Sequence, residues 1–158
     1  MDRRTKSESD GSSKNPICIN IYNQQKDLPL SVPRLRGALF SLVSFLRISC
    51  KEFSLFFVSK RKICKLHEEF FQDPTLTDCI SFPLDKEYLG DIFVCPAVAK
   101  EYVEKNGGEV YEEAMLYIVH ALLHLLGYDD LDAQKRKVMR AKEKACMDHL
   151  RKSELLNL

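Results

Sequence analysis

No charge of one sign dominates this chain. Its 158 residues carry 24 Lys and Arg against 23 Asp and Glu, a formal net charge of +1. That excludes a global electrostatic pull toward nucleic acid, so any RNA contact must come from local patches. No Cys-x-x-Cys pair occurs among the six cysteines at positions 18, 50, 64, 79, 95 and 146. A zinc ribbon and a thioredoxin-like motif are thereby excluded. Long apolar runs are also missing. The longest, about residues 37–48, is interrupted by Ser41, Ser44 and Arg47 and is too short to span a bilayer. The N-terminal segment is polar and has no apolar stretch of the signal-peptide kind. Reduced thiols in a cytoplasmic protein are the expectation. No internal repeat is visible.

Hydrophobic content of 45% and charged content of 30% suit a globular domain, and 158 residues are enough to bury a sizeable core. Residues 1–16 (MDRRTKSESDGSSKNP) are polar and read as a flexible tail, with 17–158 as a single domain. Ile17 to Tyr22 alternates as a strand does. Pro33 can open a helix, and Leu35, Leu39, Leu42, Val43 and Leu46 keep helical spacing to about Ile48. Phe53 to Ser59 is a β-type run. Lys60 to Phe71 reads as a helix with Ile63, Leu66 and Phe70 inward and Lys60, Arg61, Lys62 and Lys65 outward. Pro74 breaks it. Two short strands follow, Asp78 to Leu84 and Leu89 to Cys95, with a charged turn between them. Pro96 to Asn106 reads as a short helix and Tyr111 to Leu126 as a long apolar one. Asp132 can cap a last, charge-rich helix reaching about Leu150. The order predicts an α+β fold, a small mixed sheet of about four strands covered by about five helices.

The chemistry concentrates in His120-Ala-Leu-Leu-His124-Leu-Leu-Gly127-Tyr-Asp129-Asp130. Residues i and i+4 share one face of a helix, so both imidazoles can aim at one ion. Gly127 suits the left-handed residue that ends a helix. Beyond the turn Asp130 can approach the same ion, with Asp129 the competing candidate. Two histidines and a carboxylate leave the open coordination position that hydrolytic metal sites require. His67 and His149, the other two histidines, stand alone and read as surface or packing residues. Ala121 occupies the position of the glutamate in a His-Glu-x-x-His protease, so that class lacks its general base.

Thr77-Asp78-Cys79-Ile80-Ser81-Phe82-Pro83, then Leu89-Gly90-Asp91-Ile92, then the histidine segment together resemble the YbeY family of rRNA-maturation endoribonucleases. The resemblance spans roughly residues 17–150. It implies a cytoplasmic, single-strand-specific, metal-dependent endoribonuclease acting in 16S rRNA 3′-end maturation and ribosome quality control. The implied cofactor is one Zn2+ or another divalent ion, held by His120, His124 and Asp130. The implied partners are single-stranded or ribosomal RNA, the small ribosomal subunit and assembly factors, with no membrane. His120 and His124 would act through the ion's bound water, and Asp78, Ser81 and Asp91 lie in the matching strands as further candidate catalytic groups. Their structural reading is a turn or cap for Asp78 and Ser81, and a strand-end acceptor for Asp91.

Two positions depart from the family's pattern. Asp130 stands where a third histidine is usual. Its charge would partly neutralise the ion, weaken it as a Lewis acid and favour harder metals. Phe71 aligns with an arginine expected to meet RNA phosphate. A phenylalanine cannot fork onto phosphate but can stack on a base, or simply close the helix's apolar face; the spacing favours the latter. Among the basic clusters, that of Lys60, Arg61, Lys62 and Lys65 is the favoured RNA contact because it leads into Phe71. Other basic sets open the first helix (Arg34, Arg36) and line the last (Lys135, Arg136, Lys137, Arg140, Lys142). The rival reading is a ribosome-assembly factor that acts by binding, with the metal structural or absent.

Overall fold

A computed structural model of the chain describes residues 16–158. The tail expected at residues 1–16 lies, apart from Pro16, outside the described residues. Nine elements follow in order: β1 (Cys18–Asn23), α1 (Val32–Phe45), β2 (Glu52–Phe57), α2 (Lys60–Phe71), β3 (Cys79–Pro83), β4 (Tyr88–Val94), α3 (Pro96–Asn106), α4 (Val110–Leu125) and α5 (Ala133–Lys152). The four strands form one mixed sheet in the order β1-β2-β4-β3. β1 and β4 each pair parallel with β2, and β3 pairs antiparallel with β4. The fold is α+β, with the strand and helix numbers that the periodicity predicts.

Strand alternation gives the sheet two unlike faces. Phe53, Leu55 and Phe57 of β2 point to one face with Ile19, Ile92 and Val94, all buried in the main core beneath α1, α4 and α5. Ser54 and Phe56 point to the other, where α2 covers only part of the sheet through Ile63 and Leu66. α4 is the central helix, with nine of its sixteen residues buried, including Met115, Ile118, Leu122 and Leu123. A helix apolar on most sides belongs in a core. Each fully buried side chain of this size contributes about 1.5–3 kcal/mol, so α4 is held against the sheet on several independent contacts. Gly90 sets how closely it sits: a Cβ there would meet the Phe82 carbonyl oxygen at 2.3 Å and the Leu125 side chain at 2.8 Å.

Helix ends depart from the predicted boundaries for local reasons. α1 stops at Phe45 rather than Ile48 because Arg47 takes a left-handed conformation (φ 53°). The Arg47 N–H then bonds the Ser44 carbonyl and the Ile48 N–H bonds the Val43 carbonyl, closing the helix. β2 ends at Phe57 because Ser59 caps α2, its Oγ accepting from the Lys62 N–H. The six cysteines are all free. No helix among the described residues is long and apolar enough to cross a membrane.

Candidate metal centre and cleft

The end of α4 builds the site. Gly127 is left-handed (φ 96°), and its N–H bonds the His124 carbonyl while the Tyr128 N–H bonds the Leu123 carbonyl. That double closure is the Schellman arrangement. It folds the chain back so that the Tyr128 carbonyl accepts from His124 Nδ1 at 2.9 Å. Asp132 then caps α5, its Oδ1 accepting from the Lys135 N–H at 2.8 Å. The loop between the two helix ends is thus pinned at both sides.

His120 is oriented differently. Its Nδ1–H donates to Glu143 Oε1 of α5 at 2.5 Å, and the Glu143 side chain is only 16% exposed. This carboxylate, opposed by partial burial and reinforced by Asp130 and Asp78, raises the His120 pKa above its ordinary 6.5. A carboxylate or carbonyl on one ring nitrogen of a metal-ligating histidine fixes the tautomer and directs the other nitrogen.

With both Nδ1 atoms donating, both Nε2 atoms present lone pairs, and these face each other at 3.0 Å. Two such lone pairs repel unless a shared proton or a cation lies between them. Asp130 completes the group, its oxygens 3.9 Å from His120 Nε2 and 4.0 Å from His124 Nε2. Ligands of a tetrahedral zinc with bonds of about 2.0–2.1 Å stand about 3.3 Å apart. The three side chains therefore fit one divalent ion with small side-chain adjustment, and their donor atoms lie within 4.8 Å of one another. Asp129 is turned away, bonding the Leu131 N–H at 3.2 Å and pairing with Lys135 at 3.4 Å.

The histidines open onto a cavity of about 450 Å³ whose opposite walls are the edge strand β3 and the end of α2. Cys79 and Ser81 project into it because they share the α4 side of the sheet with Val94 and Ile92. Asp78 lines it too, its Oδ1 accepting from the Cys79 N–H at 2.7 Å. Phe71 and His67 form the α2 wall. Asp91 is not brought to this cleft. It pairs with Phe82 on the other face of the sheet, where burial and the nearby Glu52 raise its carboxyl pKa. The basic cluster of α2 is not brought there either. Lys60 pairs with Glu101, and Lys60 and Arg61 line a separate cavity of about 430 Å³ at the far end of the helix. Lys62 and Lys65 are exposed and do not line the cleft. No Lys or Arg is among the residues lining the histidine cleft.

Sequence reading missed Glu143. The available signal was an acid on the apolar stripe of α5, in helical step with the buried Met139, Met147 and Leu150.

Paired histidines and a carboxylate at a cleft of an α+β fold form a ligand set of the kind hydrolases use to hold a divalent ion. Residues 20–151 match the family described as Endoribonuclease YbeY. The chain is 43% identical over 145 residues to Endoribonuclease YbeY of Protochlamydia amoebophila, covering 88% of this chain and 97% of that protein. It is 33% identical over 153 residues to Endoribonuclease YbeY of Chlamydia felis, covering 90% and 97%. The solution structure of TM1509 from Thermotoga maritima shares the fold, with a TM-score of 0.62, 24% identity and coverage of 84% of this chain and 88% of that one. The chain belongs to the YbeY family of endoribonucleases, hydrolases that act on RNA.

Proposed function

We propose that this protein is a single-strand-specific, metal-dependent endoribonuclease of the cytoplasm that acts in 16S rRNA 3′-end maturation and ribosome quality control. The reading treats residues 17–158 as one catalytic domain. The observation that carries it is the convergence of His120 Nε2, His124 Nε2 and the Asp130 carboxylate at one cleft of a YbeY-family chain.

His120, His124 and Asp130 would hold one divalent ion, Zn2+ by the preference of imidazole-rich sites. Such an ion polarises a phosphoryl oxygen and acidifies bound water. The chain's own residues prepare that chemistry. Glu143 and the Tyr128 carbonyl hold each imidazole with its Nε2 toward the cleft. Asp78 and Ser81, on the strand wall, are polar side chains placed at the cleft, the carboxylate able to accept a proton and the hydroxyl to donate to a phosphate oxygen. Asp91 lies on the other face of the sheet and takes no part in this arrangement of the cleft.

A second reading, an assembly factor that binds the small ribosomal subunit without cleaving, is favoured by one observation: the cleft carries no Lys or Arg to draw phosphate. The two readings separate on purified protein. Bound metal and cleavage of single-stranded RNA are measured for wild type and His120→Ala. The expected result is one ion per wild-type chain, with cleavage and metal both lost in the variant. Metal-free wild type that binds small subunits as well as His120→Ala does, with no cleavage by either, supports the second reading.

A further inference from the structure

α2 ends in two phenylalanines that its packing does not absorb. Amphipathic spacing would tuck Phe70 and Phe71 against the sheet, yet they are 55% and 52% exposed. They are nevertheless not loose. Phe71 lies nearly parallel to Phe82, 23° between planes and 6.0 Å between centroids. Phe70 meets Phe82 edge-on at 4.9 Å, and Phe82 meets Phe93 edge-on at 5.8 Å. Phe93 stacks on Phe56 at 4.6 Å and Phe56 on Tyr22 at 4.8 Å. The ring at the cleft is thus the outer end of an aromatic ladder rooted across the sheet, a rigid surface whose ordering cost is met before any ligand arrives.

Position and charge say what that surface meets. Phe71 lines the same cleft as His120 and His124. The charged groups nearest the histidines are acids, Asp78, Asp130 and Glu143, and no Lys or Arg lines the cleft, so its lining holds no cationic clamp for phosphate. What it does offer is an apolar π face. The part of an RNA strand that matches such a face is a base. The ladder does not extend this into a track across the sheet. Tyr22, Phe56 and Phe93 cover one another's faces, and the carboxylates of Asp91 and Glu52 stand beside them on the same side.

We infer that Phe71, backed by Phe82, is a stacking platform for a single unpaired base of the RNA held at the histidine cleft. The inference rests on the endoribonuclease reading above. It supplies a physical origin for single-strand preference, since a base on this ring must leave its partner and its neighbours. A purine, with the larger π face, binds better at that nucleotide than a pyrimidine.

The test uses the full-length protein and a single-stranded RNA in which a fluorescent adenine analogue is walked along the strand. Binding is followed with metal removed and cleavage with metal restored. Stacking worth about 1–3 kcal/mol per base corresponds to about 5- to 150-fold in affinity. Wild type is expected to quench the analogue at one position, and Phe71→Ala to lose the quench and bind more weakly by that factor. Phe71→Tyr and Phe71→Trp restore both, which also guards against a folding defect. An abasic nucleotide at the quenched position weakens wild type but leaves Phe71→Ala unchanged. If the abasic site costs both proteins equally, or if Phe71→Ala binds RNA like wild type, the platform is wrong even though cleavage stands. Loss of binding to a small-subunit protein with RNA affinity unchanged overturns it in favour of a protein contact. Wild type that shows the base coupling but never cleaves when loaded overturns the nuclease reading and leaves the platform in place.

Discussion

The two walls of the cleft are built on opposite principles. The α4–α5 wall is polar, and each ring nitrogen on it has an assigned partner: Glu143 and the Tyr128 carbonyl behind, the converging Nε2 pair in front. The α2 wall presents Phe71, half exposed, backed by Phe82 and tilted against the His67 ring at 5.7 Å. A charged ligand set needs its geometry imposed by hydrogen bonds, because unpaired polar groups at a partly buried site are costly. A stacking surface needs only flatness and rigidity. One wall thus suits an ion and the other suits a base.

The largest expected effect tests the polar wall. Glu143→Gln should weaken metal binding by about 10- to 100-fold, read by chelator competition, with Phe71-dependent base quenching unchanged. The metal-free protein gives a pH signature. Glu143 raises the His120 pKa, so the pair's stabilisation is fully present below the unfolded value of 6.5 and is lost as pH rises through the higher folded value. The melting-temperature difference between wild type and Glu143→Gln should therefore shrink on the alkaline side. A constant difference across that range would mean that Glu143 acts only by packing.

Gly127→Ala should have the next largest effect. Space is available for the added Cβ, with nothing within 4 Å, but the left-handed backbone is not. The cost should be about 1–2 kcal/mol, seen in denaturant titration, together with weaker metal binding because the Tyr128 carbonyl would lose its place behind His124. An unchanged midpoint would show that the turn is not needed to hold the site.

The smallest effect probes the sheet beneath the apolar wall. Burial, with Glu52 adding to it, raises the Asp91 pKa, so the ionised carboxyl costs stability at neutral pH. Asp91→Asn should stabilise by less than about 1 kcal/mol after solvent screening, and the gain should vanish as pH falls through the raised pKa. Destabilisation at neutral pH would reveal a structural bond that the carboxylate makes.

Much of this was legible in the chain. The periodicities of Lys60–Phe71 and Pro96–Asn106 match α2 and α3 residue for residue, because caps and breakers are local. The histidine spacing and Gly127 announced a candidate ligand pair on a terminated helix, again through local rules. The exposure of Phe71 was not legible. Helical spacing tied that residue to the apolar face, whereas the last turn of α2 leaves Phe70 and Phe71 half exposed. The basic residues of α2 pointed toward the cleft in sequence, yet Lys60 and Arg61 lie at the opposite end of the helix from Phe71.

The chain by itself determined the elements, the family and the ligand types, since periodicity, capping and motif spacing act within a few residues. Only tertiary structure set Asp130 rather than Asp129 beside the imidazoles, brought Glu143 across from α5 to His120, sent Asp91 to the other face and left Phe71 half exposed at the cleft. Those outcomes depend on which helix packs on which sheet face and at what register, and no local rule carries that information.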